Sequence, residues 1–176
     1  MLAWSAAALL LLISVSVVFV QSSARRAEVA SVANAAVVTE VCDQHIATLA
    51  ASLPPQVLST DRHTVKPWFQ GKLPFSFNLP DKLPADTTLD GANLTYLRNQ
   101  PVAQLLYSIG RHRVSVFVAE NHGPARANQL LAEHTGFHVA GFSTADLEVV
   151  AVSDVDPGRL SDLTRVIEAA QGGTHK

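Results

Sequence analysis

Residues Leu2 to Val20 read LAWSAAALLLLISVSVVFV, 19 residues with neither a charge nor a proline. No other feature limits the chain so strongly. As a helix at ~1.5 Å per residue the run measures about 28 Å, close to the roughly 30 Å of a bilayer's hydrocarbon core. A helix satisfies its own backbone groups, so lipid tolerates it, and Trp4 near one end suits the headgroup level. The segment therefore reads as a membrane anchor over residues 1–24. A cleaved leader is the competing reading, because Ser22-Ser23-Ala24 supplies small residues where a peptidase cuts. Against it, no Lys or Arg precedes the run, and the run exceeds the roughly 7–15 apolar residues usual in a leader. Arg25-Arg26 follows it, so charge alone directs what comes next to the cytoplasm.

The rest of the 176 residues has room for one domain. The net charge of −2 and the absence of any long basic stretch point away from nucleic acid. Cys42 is the single cysteine, which excludes an internal disulfide and a multi-cysteine zinc site. Residues 25–55 read as a juxtamembrane helix, with a stripe of Val38, Cys42, Ile46, Leu49 and Leu53 and a stop at Pro54-Pro55. Cys42 and His45 are spaced like half a zinc site, but no second half exists, so a buried thiol is the reading for Cys42.

Residues 56–171 read as one α+β domain, followed by a short tail over 172–176. Between Ser59 and Pro84, Leu73, Phe75, Phe77 and Leu79 alternate, predicting an extended segment with one apolar face. Pro74 and Pro80 confine it to a sheet edge or to irregular structure. An antiparallel meander follows: Leu89–Leu97, a turn at residues 98–101, Ala103–Ile109, a turn at Gly110-Arg111, and Val114–Val118 with Phe117 on its other face. Glu120–Gly136 is a polar interruption with a short helix expected over Asn128–His134. Strands are expected at Phe137–Phe142 and Leu147–Val152. Asp156 is a cap and Pro157 a first-turn residue for a helix with a Leu160, Leu163, Ile167, Ala170 stripe, ended by Gly172-Gly173. The prediction is a mainly antiparallel sheet of five strands with a C-terminal packing helix.

Catalytic patterns are missing. His134 and His138 are four apart, but the intervening Thr135-Gly136 and the misplaced Glu133 do not make HExxH. No GxSxG elbow and no glycine-rich phosphate loop occurs. Asn93-Leu94-Thr95 matches the short N-glycosylation pattern, which chance often produces. A hydrolase would need a cleft gathering His63, His112 or Cys42. The expectation is a protein that is not an enzyme and needs no cofactor or metal.

The most distinctive surface-capable residues are Arg62, His63, Thr64, Lys66, Pro67, Trp68 and Phe69. Large aromatics usually fill cores, so Trp68 and Phe69 read first as buried. The alternative is a partner-contact site, since Trp and Arg are enriched at interaction hot spots.

This segment also carries a resemblance. DRHTVKPWFQGKLPFSFNLPD (Asp61–Asp81) closely resembles the signature region of membrane anti-sigma factors, bacterial transmembrane regulators of extracytoplasmic-function sigma factors. The likeness continues through GANLTYLRNQPVAQLLYSIGRHRVSVFV (Gly91–Val118), GFHVAGF (Gly136–Phe142) and VAVSDVDPGRL (Val150–Leu160), and EVCDQHIATL (Glu40–Leu49) looks like the family's juxtamembrane helix. The resemblance implies a single-pass inner-membrane protein whose C-terminal domain is extracytoplasmic, against the charge of Arg25-Arg26. It implies a sensing or interaction role in transcription regulation, with the membrane and a protein of the envelope as partners. The family's cytoplasmic zinc segment has no counterpart here, so a sigma factor is expected as partner only through a missing or separate cytoplasmic segment. An envelope-binding module with no role in transcription is the alternative.

Overall fold

The computed structural model describes residues 34–51 and 53–172. The expected anchor over residues 1–24 and the tail beyond Gly172 lie outside the described residues. Among the described residues no helix is long and apolar enough to cross a membrane. Residues from Val38 onward form one compact unit. That unit therefore includes most of the first described helix, α1 (residues 34–50).

Seven strands form one sheet: β1 (Val57–Leu58), β2 (Thr87–Leu97), β3 (Gln100–Ile109), β4 (His112–Glu120), β5 (Arg126–His134), β6 (Phe137–Ser143) and β7 (Leu147–Ser153). Their spatial order is β1-β2-β3-β4-β7-β6-β5, and every pairing is antiparallel. Two helices complete the unit, α2 (Arg62–Trp68) and α3 (Pro157–Gly172). The α+β class and the mainly antiparallel sheet agree with the sequence pattern.

Tight turns set the register. Leu97 pairs with Gln100 across Arg98 and Asn99, both at positive φ, as a two-residue type I′ turn requires. Gly110 (φ 59) opens the next two-residue turn, between Ile109 and His112. At Gly91 the β2–β3 register shifts, and φ is 153. A Cβ there would come within 2.4 Å of the Val57 carbonyl oxygen, so only glycine lets β1 close onto β2.

Both faces of the sheet are covered. On one, Leu89, Ala92, Leu105, Tyr107, Ile109, Val114, Val116, Val118, Ala140, Phe142, Val149 and Ala151 pack in one core with Val65 and Phe69, with Phe77 and Leu79, and with Leu160, Leu163 and Ile167 of α3. Asp156 caps α3 by accepting from the Gly158 and Arg159 amides, at 2.9 and 3.3 Å. Leu160, Leu163 and Ile167 of the expected stripe are buried, with Thr164 added, whereas Ala170 is only partly buried. On the opposite face the alternate residues Val102, Gln104, Ser115, Phe117, Val139, Val150 and Val152 are buried, with Val38, Val41, Cys42 and His45 of α1 buried too. Side-chain bonds from α1 to Thr95, Gln104 and Ser115 seat the helix on that face.

Three expectations need correction. Residues 128–134 are not a helix; they belong to β5, which closes on β6 through a two-residue turn with Thr135 at φ 51 and Gly136 at φ 84. Two register shifts in β5, between Arg126 and Gln129 and between Leu130 and Ala132, break the period-two pattern and hid the strand. Residues 62–68, where no helix was expected, form α2. On α1 the buried set is Val38, Val41, Cys42 and His45, whereas Ile46 and Leu49 are exposed, as is Leu53 beyond the helix end. The segment with Leu73, Phe75, Phe77 and Leu79 forms no strand. It is an irregular strap whose odd residues turn inward, Leu73 and Phe75 in part and Phe77 and Leu79 fully.

Candidate functional site

The candidate residues lie on α2, and local chemistry explains why a helix forms there. Asp61 is the N-cap: its carboxylate accepts from the His63 amide at 2.8 Å and from the Thr64 hydroxyl at 3.5 Å. Val65 is fully buried and Phe69 nearly so, and these two anchor the helix. Trp68 is half-buried, meeting Phe69 edge-on with ring centroids 4.9 Å apart, while Phe69 meets Phe77 at 5.4 Å. The Lys72 ammonium sits 4.1 Å from the Trp68 ring centroid, a cation–π contact. Trp68 thus packs against the core, and Phe69 belongs to it.

The polar residues of α2 face outward over the strap. Arg62 pairs with Asp81 and also donates to the Leu79 carbonyl at 3.4 Å. Lys66 donates to the Asn78 side-chain oxygen at 2.7 Å. Asn78 is held from the far side by Gln171 of α3. The Gln171 amide accepts from the Asn78 backbone N–H at 2.9 Å and donates to the Asn78 carbonyl at 2.8 Å. This side chain copies one rung of a β-ladder, and it satisfies a strap residue that has no strand beside it.

Between α2, the strap and α3 runs a shallow groove of about 690 Å³. Arg62, His63, Lys66 and Pro67 line one wall, and Val166, Ala169 and Ala170 the other. Lys82 and Asp81 lie at its edge, so three fixed cations face one carboxylate already paired with Arg62. The groove is therefore basic with an apolar side. Of the seven candidates it brings together these four; Thr64 is exposed but bonded back to the cap, and Trp68 and Phe69 turn toward the core.

Among the described residues, Cys42, His112 and His138 lie outside the groove lining. Cys42 is buried on the opposite face of the sheet, and burial pushes its thiol pKa up, away from a thiolate. His112 pairs with Asp154 at 2.9 Å near the surface, and the groove beside His63 is lined by neither His112 nor Cys42. His138 contacts the Val155 carbonyl at 2.8 Å, and it lies across a hairpin from His134 rather than on a shared helix. Among the described residues no group of three His, Cys, Asp or Glu is placed to hold a metal.

A second feature lies under α1, where the sequence pattern marked His45 only for its spacing from Cys42. His45 is buried, with Nδ1 2.8 Å from the Ser115 hydroxyl and its ring 5.1 Å from that of Phe137. Burial lowers its pKa to about 4, opposed weakly by Asp154, so the imidazole is neutral at pH 7. It lines a hollow of about 550 Å³ between the end of α1 and strands β3 and β4.

Comparison with known proteins is sparse. No family model matches the sequence, and no curated protein matches it. Two solved structures are similar over part of the chain: the complex structure of Pseudomonas aeruginosa MucA/MucB and the crystal structure of MucB in complex with MucA(peri). Each is 24% identical over 49% of this chain, with a TM-score of 0.41. The match spans about a third of those chains, 32% and 34% of their lengths. At that identity and score the likeness carries no argument about function.

Proposed function

We propose that this chain is a non-catalytic regulatory protein of the anti-sigma-factor type. In this reading residues 1–24 anchor it in the inner membrane, the α+β unit lies outside the cytoplasm, and the α2–α3 groove takes a protein partner of the envelope. One observation carries the reading. The segment most like the anti-sigma signature, Asp61–Asp81, forms a capped helix fixed by Val65 and Phe69, and that helix turns Arg62, His63 and Lys66 toward an open groove. A segment serving only the core would have no need of the two cations Arg62 and Lys66 at such a wall. Arg is favoured where interfaces concentrate binding energy, and a basic groove selects acidic partners and speeds their encounter. Any contact with a sigma factor would run through a separate or additional cytoplasmic segment.

The test has two parts. A reporter fused after Lys176 should be active only outside the cytoplasm; cytoplasmic activity removes the proposed topology. A photocrosslinking residue at His63 should trap one envelope protein in cells, and the same residue at the exposed Tyr96 should not. The double variant Arg62→Glu, Lys66→Glu should abolish that adduct. Equal crosslinking from both positions would discard the groove as the contact surface.

A further inference from the structure

We propose that the α2–α3 groove takes an acidic amphipathic helix of the partner, with two carboxylates one turn apart set against Arg62 and Lys66 and aliphatic side chains set against α3. This names the chemistry of the partner proposed above and rests on that reading.

The two walls have matching spacing. Arg62 and Lys66 stand four apart on α2, and Val166, Ala169 and Ala170 recur at three and four on α3. Side chains at those spacings share one helix face, about 5–6 Å apart. Each wall is thus one turn of a ridge, the relief into which a further helix packs. No charged residue of α3 lines the groove, and Asp162 and Arg165 pair with each other at 2.6 Å. The α3 wall therefore presents only methyl-bearing side chains.

The opposite wall presents donors and unmatched charge. Arg62 uses one nitrogen, Nη1, for both of its contacts, with Asp81 and with the Leu79 carbonyl. Its Nε and Nη2 have no partner among the described residues. Lys66 gives one of its three N–H groups to Asn78 Oδ1, a neutral acceptor, so its charge is not offset there. Lys82 is exposed at the edge and makes no bond among the described residues. Three cations against the one carboxylate of Asp81 leave a surplus of two positive charges, which two carboxylates would match.

The floor selects the conformation of the occupant. The Asn78 N–H and C=O are bonded to Gln171, the Leu79 C=O accepts from Arg62, and Pro80 has no N–H. A peptide that binds as a strand needs a free backbone edge, and these groups are taken. A helix satisfies its own backbone and reads a groove through side chains at i, i+3 and i+4. A lipid headgroup would meet the cations but leave the methyl wall in water.

Asp81 already stands where a partner carboxylate would sit on Arg62. The two side chains are 38% and 75% exposed. An ion pair so open to water adds little to stability, so a partner's carboxylate can exchange for Asp81.

The experiment titrates the full chain, in phosphatidylcholine nanodiscs, with two fluorescent hydrocarbon-stapled helical peptides of one composition, read by anisotropy. One carries Glu at i and i+4 with Leu on the adjacent face; the other spreads the same residues around the helix. The patterned peptide should bind about tenfold tighter. Arg62→Glu, Lys66→Glu should erase that preference, and Ala169→Gln, at an exposed position of the methyl wall, should weaken patterned binding about fivefold. Asp81→Asn should tighten it about threefold, a gain that a folding defect cannot imitate. Equal binding of the two peptides, or unchanged or weaker binding in Asp81→Asn, would overturn the proposal. So would capture by phosphatidylglycerol vesicles that depends on Arg62 and Lys66 without any peptide preference, which would assign the groove to a lipid surface. Crosslinking at His63 separates the two readings. An envelope adduct without peptide preference overturns the helix and leaves the partner; peptide preference without an adduct keeps the groove chemistry and removes the envelope partner.

Discussion

At the scale of single residues, two buried side-chain atoms without hydrogen-bond partners among the described residues, on His45 and Tyr107, differ in what they do to stability. The His45 pKa is lowered to about 4 from an ordinary 6.5, so between those values the unfolded chain binds a proton that the folded chain refuses. Stability from this group is therefore full above pH 6.5 and is lost as pH falls toward 4. The groups around the ring are Ser115, Phe137 and, more distantly, Asp154, and only the last opposes the shift. His45→Gln should flatten that part of the profile, removing up to about 3 kcal/mol of acid sensitivity. Urea titrations at pH 7.5 and 4.5 read the difference, and an unchanged slope would contradict the burial argument. Tyr107 is different: its hydroxyl is buried without a hydrogen-bond partner, and burial pushes its pKa far up. Removing an unsatisfied polar atom without changing shape costs little. Tyr107→Phe should leave the melting temperature equal or higher, as calorimetry would show.

At the scale of elements, α2 and the strap depend on a few directional contacts rather than on propensity. A seven-residue helix with Pro67 inside it would not form in isolation. Its cap and its two apolar anchors define it. Asp61→Ala should cost about 0.5–2 kcal/mol, and Gln171→Ala, which removes both Asn78 bonds, about 1–2 kcal/mol. Hydrogen exchange should show faster opening of residues 61–80 in both variants, with the β3–β4 amides unchanged. In the sheet, Gly141 leaves no room for a side chain: a Cβ there would lie 2.3 Å from the Val149 carbonyl oxygen. Gly141→Ala should therefore strain the β6–β7 pairing and destabilise by about 1–3 kcal/mol in chemical denaturation.

At the scale of the whole molecule, the sheet is sandwiched: α1 lies on one face, and α2, the strap and α3 lie on the other. The α2–α3 groove therefore lies on the face of the sheet opposite α1. Much of this organisation was legible in the chain. Strands β2, β3, β4, β6 and β7 show alternation that strand geometry imposes residue by residue, and Asp156-Pro157 with the Leu160 stripe marks α3, because these signals are local. Four features were decided only by tertiary structure. β5 is bulged, so its pairing with β6 rather than its own periodicity makes it a strand. α2 contains a proline and exists because Val65 and Phe69 reach a core built by distant residues. The apolar pattern of the sequence continues to Leu49 and Leu53, but α1 ends at residue 50 and both leucines are exposed. His45 was marked in the chain only by its spacing from Cys42; its burial against Ser115, 70 positions away in the sequence, was decided by the fold. Periodicity records which side of an element is apolar; it does not record what stands opposite, because that depends on contacts between residues far apart in the chain.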